Sequence, residues 1–186
     1  SVFLVLYVLL WRLRDSIWQN DNELLLMLTL ILVSSIFLRG VSYYSNLSDL
    51  DFIQYALPVS FVGIISVILL SLRATLILSL SSSLLALAGG GNIGLVALGA
   101  LGTIIPAVFL SDDTDRTLLR ERIIYISLTQ PLLAFGVYFF LRDDGNLTQI
   151  LIFSFLSALV ANLAAFSLTS YIESLFRLTS SFKLSE

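Results

Sequence analysis

The sequence contains no cysteine and no histidine, only three prolines, and charged residues make up only 12% of its 186 positions. Disulfides, thiolate nucleophiles, imidazole bases and most zinc sites need Cys or His, so all of these are excluded from this chain. The 10 Lys and Arg are outnumbered by 13 Asp and Glu, which argues against a nucleic-acid-binding face. The shortage of charge also excludes an ordinary soluble domain, in which about 25% of residues are charged.

Hydrophobic residues, by contrast, make up 58% of the sequence. The charges are gathered into short islands, and the apolar stretches between them approach the length of a bilayer-crossing helix. Seven such stretches are present: Val2–Leu10, Leu24–Tyr44, Phe52–Leu72, Ala74–Ala88, Ile93–Leu110, Ile123–Leu141 and Leu147–Phe176. The sequence therefore predicts an all-α integral membrane protein built as a bundle of seven transmembrane helices.

Two of the seven stretches are short. Val2–Leu10 cannot cross a bilayer alone, and it begins without Met or a basic segment, so we interpret it as a truncated first helix in a piece of a longer protein. Ala74–Ala88 is also short for a crossing, and a re-entrant hairpin with Ile93–Leu110 is the alternative interpretation of that stretch.

The positions of Lys and Arg predict the orientation of the bundle. With the N-terminus outside, only Arg39 and Arg142 lie on the outer side. The other basic residues lie in cytoplasmic islands: Arg12, Arg14, Arg73, Arg116, Arg120, Arg122, Arg177 and Lys183. A re-entrant Ala74–Ala88 would move the basic loop Asp112–Arg122 outside and remove this bias. We therefore expect seven crossings of the plasma membrane, with the C-terminus in the cytoplasm.

The middle third of every predicted span lacks an ionisable Asp, Glu, Lys or Arg, the kind of residue that pumps and proton-coupled transporters normally carry there. Away from the ends of the spans, the strongly polar residues are Gln130, which precedes Pro131, and Asn162. They indicate either interhelical hydrogen bonds or a ligand site in a small permease or substrate-binding membrane subunit. The sequence lacks the internal repeat that inverted-repeat transporters show between their halves.

Small residues predict where helices pack closely. Gly94, Gly99 and Gly102 are expected where the fourth and fifth helices cross, and Ser157, Ala161 and Ala165 form a face of the seventh. These faces serve packing within one bundle or between two copies in a homo-oligomer. The glycine-rich stretch lacks the Gly-Lys-Ser/Thr of a phosphate loop, and Asp112–Asp115 lacks the EF-hand pattern, so no cofactor or metal is predicted in this chain.

The C-terminal stretch Tyr171–Glu186 reads YIESLFRLTSSFKLSE. Its Glu-x-x-Phe unit at the end of a membrane helix, followed by a Thr- and Ser-containing linker, resembles the junction in bacterial seven-transmembrane receptors with an intracellular HD hydrolase domain. The resemblance extends to Arg73 after the third span, the glycine-rich turn before the fifth, the basic loop before the sixth and Asn162 in the seventh.

This resemblance implies an extracytoplasmic domain, a membrane domain at 1–176, and at 177–186 the start of a linker to a cytoplasmic HD domain. In that family the HD domain hydrolyses cyclic di-AMP with bound divalent metal ions. An HD site needs a His-Asp pair, so this chain without His is expected to be non-catalytic. Its implied role is anchoring in the bilayer and signal transmission to its own flanking domains, with Glu173, Phe176 and Arg177 as the junction.

Overall fold

The computed structural model describes residues 21–47, 51–88, 93–110, 116–141 and 145–176. These residues form helices and no strand. In chain order they are α1 (Asp21–Leu47), a 3₁₀ helix (Asp51–Tyr55), α2 (Val59–Leu69), α3 (Leu72–Ala88), α4 (Ile93–Leu110), α5 (Arg116–Leu141) and α6 (Leu147–Phe176). The predicted first span Val2–Leu10 and the predicted linker 177–186, with Arg177, lie outside the described residues.

Four helices in the described part of the chain are long and apolar enough to cross a bilayer: Asp21–Tyr44, Ile93–Leu110, Ile123–Leu141 and Leu147–Phe176. They correspond to the second, fifth, sixth and seventh predicted spans, and the last three have the predicted apolar limits. The all-helical, multi-pass membrane character predicted from the sequence is therefore confirmed. The count of seven crossings and the orientation stay predictions.

The third predicted span, Phe52–Leu72, is not one continuous helix. It is divided into the 3₁₀ helix and α2, with Ala56, Leu57 and Pro58 between them. Proline lacks an N–H donor and disfavours helical geometry in the residue before it, so Pro58 explains the interruption. With 11 residues, α2 spans about 16 Å, and the 17-residue α3 spans about 25 Å. Both fall short of the ~30 Å hydrocarbon layer.

The helices alternate in direction, because their ends meet in two separate sets of apolar contacts. The main core joins the start of α1, the end of α2, the start of α3 and the ends of α4 and α6, through Leu26, Leu69, Ala74, Leu110 and Phe176. A second cluster joins the opposite ends of α1 to α4 through Leu38, Val59, Ala86 and Leu95. The start of α3 and the end of α4 thus lie together. Two full crossings and a re-entrant hairpin both require this, so the complete crossing of Ala74–Ala88 stays a prediction.

The short helix α2 lies in the middle of the bundle. Nine of its 11 residues are buried, and it packs mainly against α4 and α6. At its C-terminal end, Ser66 Oγ donates a hydrogen bond to Thr75 Oγ1 of α3 at 2.9 Å. Ser71 Oγ caps α3 by accepting the Ala74 N–H at 3.2 Å. These bonds hold the tight turn between α2 and α3 without a polar loop.

Candidate functional site

The interruption between the 3₁₀ helix and α2 is the centre of the candidate site. Backbone groups at membrane depth need hydrogen-bond partners, since no water is present to supply them. Locally, the Val59 N–H donates to Leu57 O at 2.9 Å and the Phe61 N–H donates to Pro58 O at 3.3 Å. These local bonds leave acceptor capacity on the carbonyls of Ala56 and Leu57.

Side chains from two other helices bind these carbonyls. Ser157 Oγ of α6 donates to Ala56 O at 2.7 Å, and Gln130 Nε2 of α5 donates to Leu57 O. Gln130 is only 2% exposed. The interrupted helix is therefore fixed directly to both members of the α5–α6 hairpin.

Asn162, the other polar residue singled out in the sequence, bonds to a different partner from Gln130. Its Nδ2 donates to Ser127 Oγ at 2.8 Å, and Ser127 Oγ donates to Ile123 O at 2.7 Å. Asn162 is completely buried. Four residues after Ser127, Pro131 removes one helical N–H donor, so this polar contact lies where the α5 ladder is weakened. The structure thus gives both amides an interhelical hydrogen bond.

Each amide also has one unused acceptor. Gln130 Oε1 and Asn162 Oδ1 are buried without a hydrogen-bond partner among the described residues, and so is Ser60 Oγ in the first turn of α2. Unpaired buried polar atoms are costly and rare. A polar ligand group that donates hydrogen bonds would be stabilised at these atoms.

A cleft of about 750 Å³ lies beside the interruption. Phe37 of α1, Phe153 of α6, Pro58 of the interruption and Gly99 of α4 are among the residues that line it. Ser157, which binds the Ala56 carbonyl, is part of the α6 wall. The cleft and the interrupted helix are therefore one continuous structural feature.

The predicted junction lies at the other end of α6. Glu173 is buried, with 6% of its side chain exposed, and its Oε1 has no hydrogen-bond partner among the described residues. Phe176 packs against the main core, which also holds Leu69 at the end of α2. Glu173 is thus buried in the bundle, Phe176 is half-buried against its core, and Arg177 falls outside the described range.

The small residues predicted for helix packing lie on several interfaces. An added Cβ at Gly94 would meet Leu141 of α5, one at Gly99 would meet Leu38 of α1 at 2.9 Å, and one at Gly102 would meet Val59 of α2. The atoms nearest to these glycines thus belong to α5, α1 and α2. Their role at the crossing with α3 stays a prediction. On α6, Ala161 and Ala165 are buried and Ser157 is half-buried.

Sequence reasoning missed three contributors to this region. Gly63 of α2 packs against the backbone of Thr103, Ser127 is the partner of Asn162, and Ser157 donates a hydrogen bond besides packing closely. Their sequence signal is weak, because the partners lie far apart in the chain or are ordinary hydroxyl and backbone groups.

A comparison with protein-family models gives a match that covers most of the chain. A family model described as 7TM receptor with intracellular HD hydrolase matches residues 1–180. Comparison with curated proteins and with solved structures gave no significant match. Because the family match covers nearly the entire sequence, the chain belongs to the family of 7TM receptors with an intracellular HD hydrolase.

Proposed function

We propose that this chain is the membrane-anchoring and signal-transmitting domain of a receptor whose cytoplasmic HD domain hydrolyses cyclic di-AMP. The family supplies the receptor architecture and the hydrolase class. The substrate and the metal ions of the HD domain come from the sequence resemblance at the C-terminal junction. The chain itself contains no His, so catalysis belongs to the HD domain and transmission to the helices.

The observation that supports the transmission role is that α6 is an unbroken 30-residue helix. It contacts the interruption through Ser157, about a third of the way along, and the main core through Phe176 at its C-terminal end. Its length of about 45 Å exceeds the ~30 Å hydrocarbon layer. A rigid helix moves as a unit, so a displacement at Ser157 is carried to Glu173 and Phe176. From there it would reach the HD domain through the linker that begins near Arg177.

The test uses the full-length protein in liposomes, with cyclic di-AMP hydrolysis as the readout. Glu173→Gln, Phe176→Ala and Arg177→Gln are expected to change the hydrolysis rate about fivefold or more, the usual range of coupling between sites. Ser174→Ala is the matched control on α6, because Ser174 is exposed. Removal of divalent metal should abolish hydrolysis in every variant.

Two results would contradict the proposal at different points. If the purified protein hydrolyses another cyclic dinucleotide but not cyclic di-AMP, the substrate is wrong. If all three junction variants hydrolyse cyclic di-AMP as the wild type does, the helices only anchor the enzyme.

A second candidate function is a permease-like solute site near Gln130 and Asn162. Its support is the interrupted helix, since discontinuous helices form many transporter binding sites, together with the two unpaired amide oxygens. It has less support than transmission, because both amides already bond across helices. The test is uptake of neutral amino acids into liposomes that contain the protein. If uptake occurs and Gln130→Leu abolishes it, this function replaces the receptor proposal.

A further inference from the structure

The cleft beside the interrupted helix is a lateral opening in the bundle. Its two walls, α1 and α6, make few contacts with each other. The volume of about 750 Å³ lies within the roughly 300–1,000 Å³ that small-molecule sites occupy. The cleft is thus large enough for a ligand.

The mouth of this cleft faces lipid. Its wall residues Val33 and Phe37 on α1, and Phe153, Leu156 and Val160 on α6, are all exposed. Both helices are long and apolar enough to cross a membrane. The medium next to the mouth is therefore the hydrocarbon of the bilayer.

The lining of the cleft selects an apolar occupant. Among the described residues, no ionisable side chain lines it. Its hydroxyl groups already donate to backbone carbonyls: Ser34 to Ile31, Ser82 to Ser79, Thr103 to Ala100 and Ser157 to Ala56. The described lining thus offers no charged group for a lipid headgroup, whereas an alkyl chain that enters from the bilayer has no charge or polar group to desolvate.

We infer that this cleft binds one acyl chain of a membrane phospholipid. The chain lies between α1 and α6 and touches Pro58 and Ser157, so its presence sets the position of α6 relative to the interrupted helix. The regulatory consequence, that the membrane lipid is the input to the HD domain, rests on the proposed function. The binding site itself does not.

The test measures binding of dioleoyl phosphatidylglycerol to the delipidated full-length protein in detergent by native mass spectrometry. Ala164→Phe places a bulky ring in the cleft from α6, and Val33→Trp does so from the exposed mouth on α1. Both variants are expected to bind the lipid about tenfold more weakly, because the added ring occupies the volume of the chain. Ser167→Phe is the control, since Ser167 is exposed on the same helix and does not line the cleft.

Wild-type affinity in both filled variants would overturn the inference. A disulfide cross-link between two copies that carry Val33→Cys and Val160→Cys would also overturn it, because a second chain would then cover the cleft. Failure of the proposed function can be distinguished from failure of the lipid site. If the filled variants lose the lipid while the junction variants hydrolyse cyclic di-AMP normally, the lipid site is supported and the transmission role is wrong. If only the junction variants have an effect, transmission stands and the lipid site fails.

Discussion

Close backbone approach at single residues determines how this bundle packs. In a membrane, apolar side chains gain little by leaving lipid, so van der Waals contact and hydrogen bonds between helices supply the stability. Gly63 shows this most directly, since its missing side chain lets α2 lie against the backbone of Thr103 on α4. The buried amide of Asn162 contributes differently, through its bond to Ser127 across α5 and α6.

Replacement of Gly63 by alanine tests the backbone contact. The added methyl would overlap the Thr103 carbonyl oxygen, a backbone atom that cannot rotate away. We expect Gly63→Ala to lower the free energy of unfolding by about 1–3 kcal/mol, the usual cost of overpacking. Thermal unfolding of the full-length protein in detergent measures the effect.

Gly136→Ala is the matched control, because an added Cβ at Gly136 of α5 has no atom within 4 Å. Alanine there should leave stability unchanged or raise it by up to about 1 kcal/mol, as helix propensity predicts. Equal unfolding temperatures for the two variants would contradict the close approach of α2 and α4.

Among the elements, α2 differs from the other helices in being short, buried and interrupted at its start. The carbonyls of Ala56 and Leu57, just before it, accept hydrogen bonds from Ser157 and Gln130. This arrangement fixes the middle of the bundle to the α5–α6 hairpin. Gln130 therefore has a structural role whether or not a ligand binds nearby.

Gln130→Leu should weaken this connection. The interhelical hydrogen bond is expected to contribute about 0.6–1.7 kcal/mol, the range measured in membrane bundles. Its loss should also speed amide hydrogen exchange at Val59 and Phe61, whose N–H groups bond within the interruption. Gln149→Leu, an exposed replacement in the first turn of α6, should change neither quantity. Unchanged exchange in Gln130→Leu would show that Gln130 does not hold α2.

The elements differ in how well the sequence predicts them. The limits of α6 follow directly from it, because Gly145 and Asn146 supply a turn and a cap, with Asn146 Oδ1 accepting the Thr148 N–H at 3.1 Å. The division of Phe52–Leu72 does not follow from the sequence, since its main local signal is Pro58 within a mostly apolar run. Proline is compatible with a kinked continuous helix in membranes, and tertiary contacts from α5 and α6 decide between the two outcomes.

The candidate site could likewise be predicted only in part, because tertiary contacts complete it. Gln130 and Asn162 stand out because strongly polar residues are rare within spans. Their partners, the Leu57 carbonyl and Ser127, are ordinary groups whose importance comes from the fold. The cleft between α1 and α6 has no sequence signature, because the apolar residues of its walls are the types found on any lipid-facing helix surface.

At the scale of the whole molecule, the absence of cysteine makes the topology directly testable. Any introduced cysteine is unique in this chain, so a membrane-impermeant maleimide applied to intact cells reports its side of the membrane. Exposed positions at both ends of the helices are available: Asp21, Arg73 and Ser174 at one end, and Tyr43 and Gln149 at the other. The distribution of basic residues predicts the first set inside and the second outside.

We therefore expect Tyr43→Cys and Gln149→Cys to be labelled from outside, whereas Asp21→Cys, Arg73→Cys and Ser174→Cys are labelled only after the membrane is permeabilised. Arg73 is the most informative position, because it follows the turn between the two short helices. If its cysteine stays unlabelled after permeabilisation while Ser174→Cys reacts, the α2–α3 turn ends inside the hydrocarbon layer and these helices do not form complete crossings. A reversed pattern at all five positions would instead invert the orientation, placing the C-terminal junction outside the cytoplasm and contradicting transmission to an intracellular hydrolase.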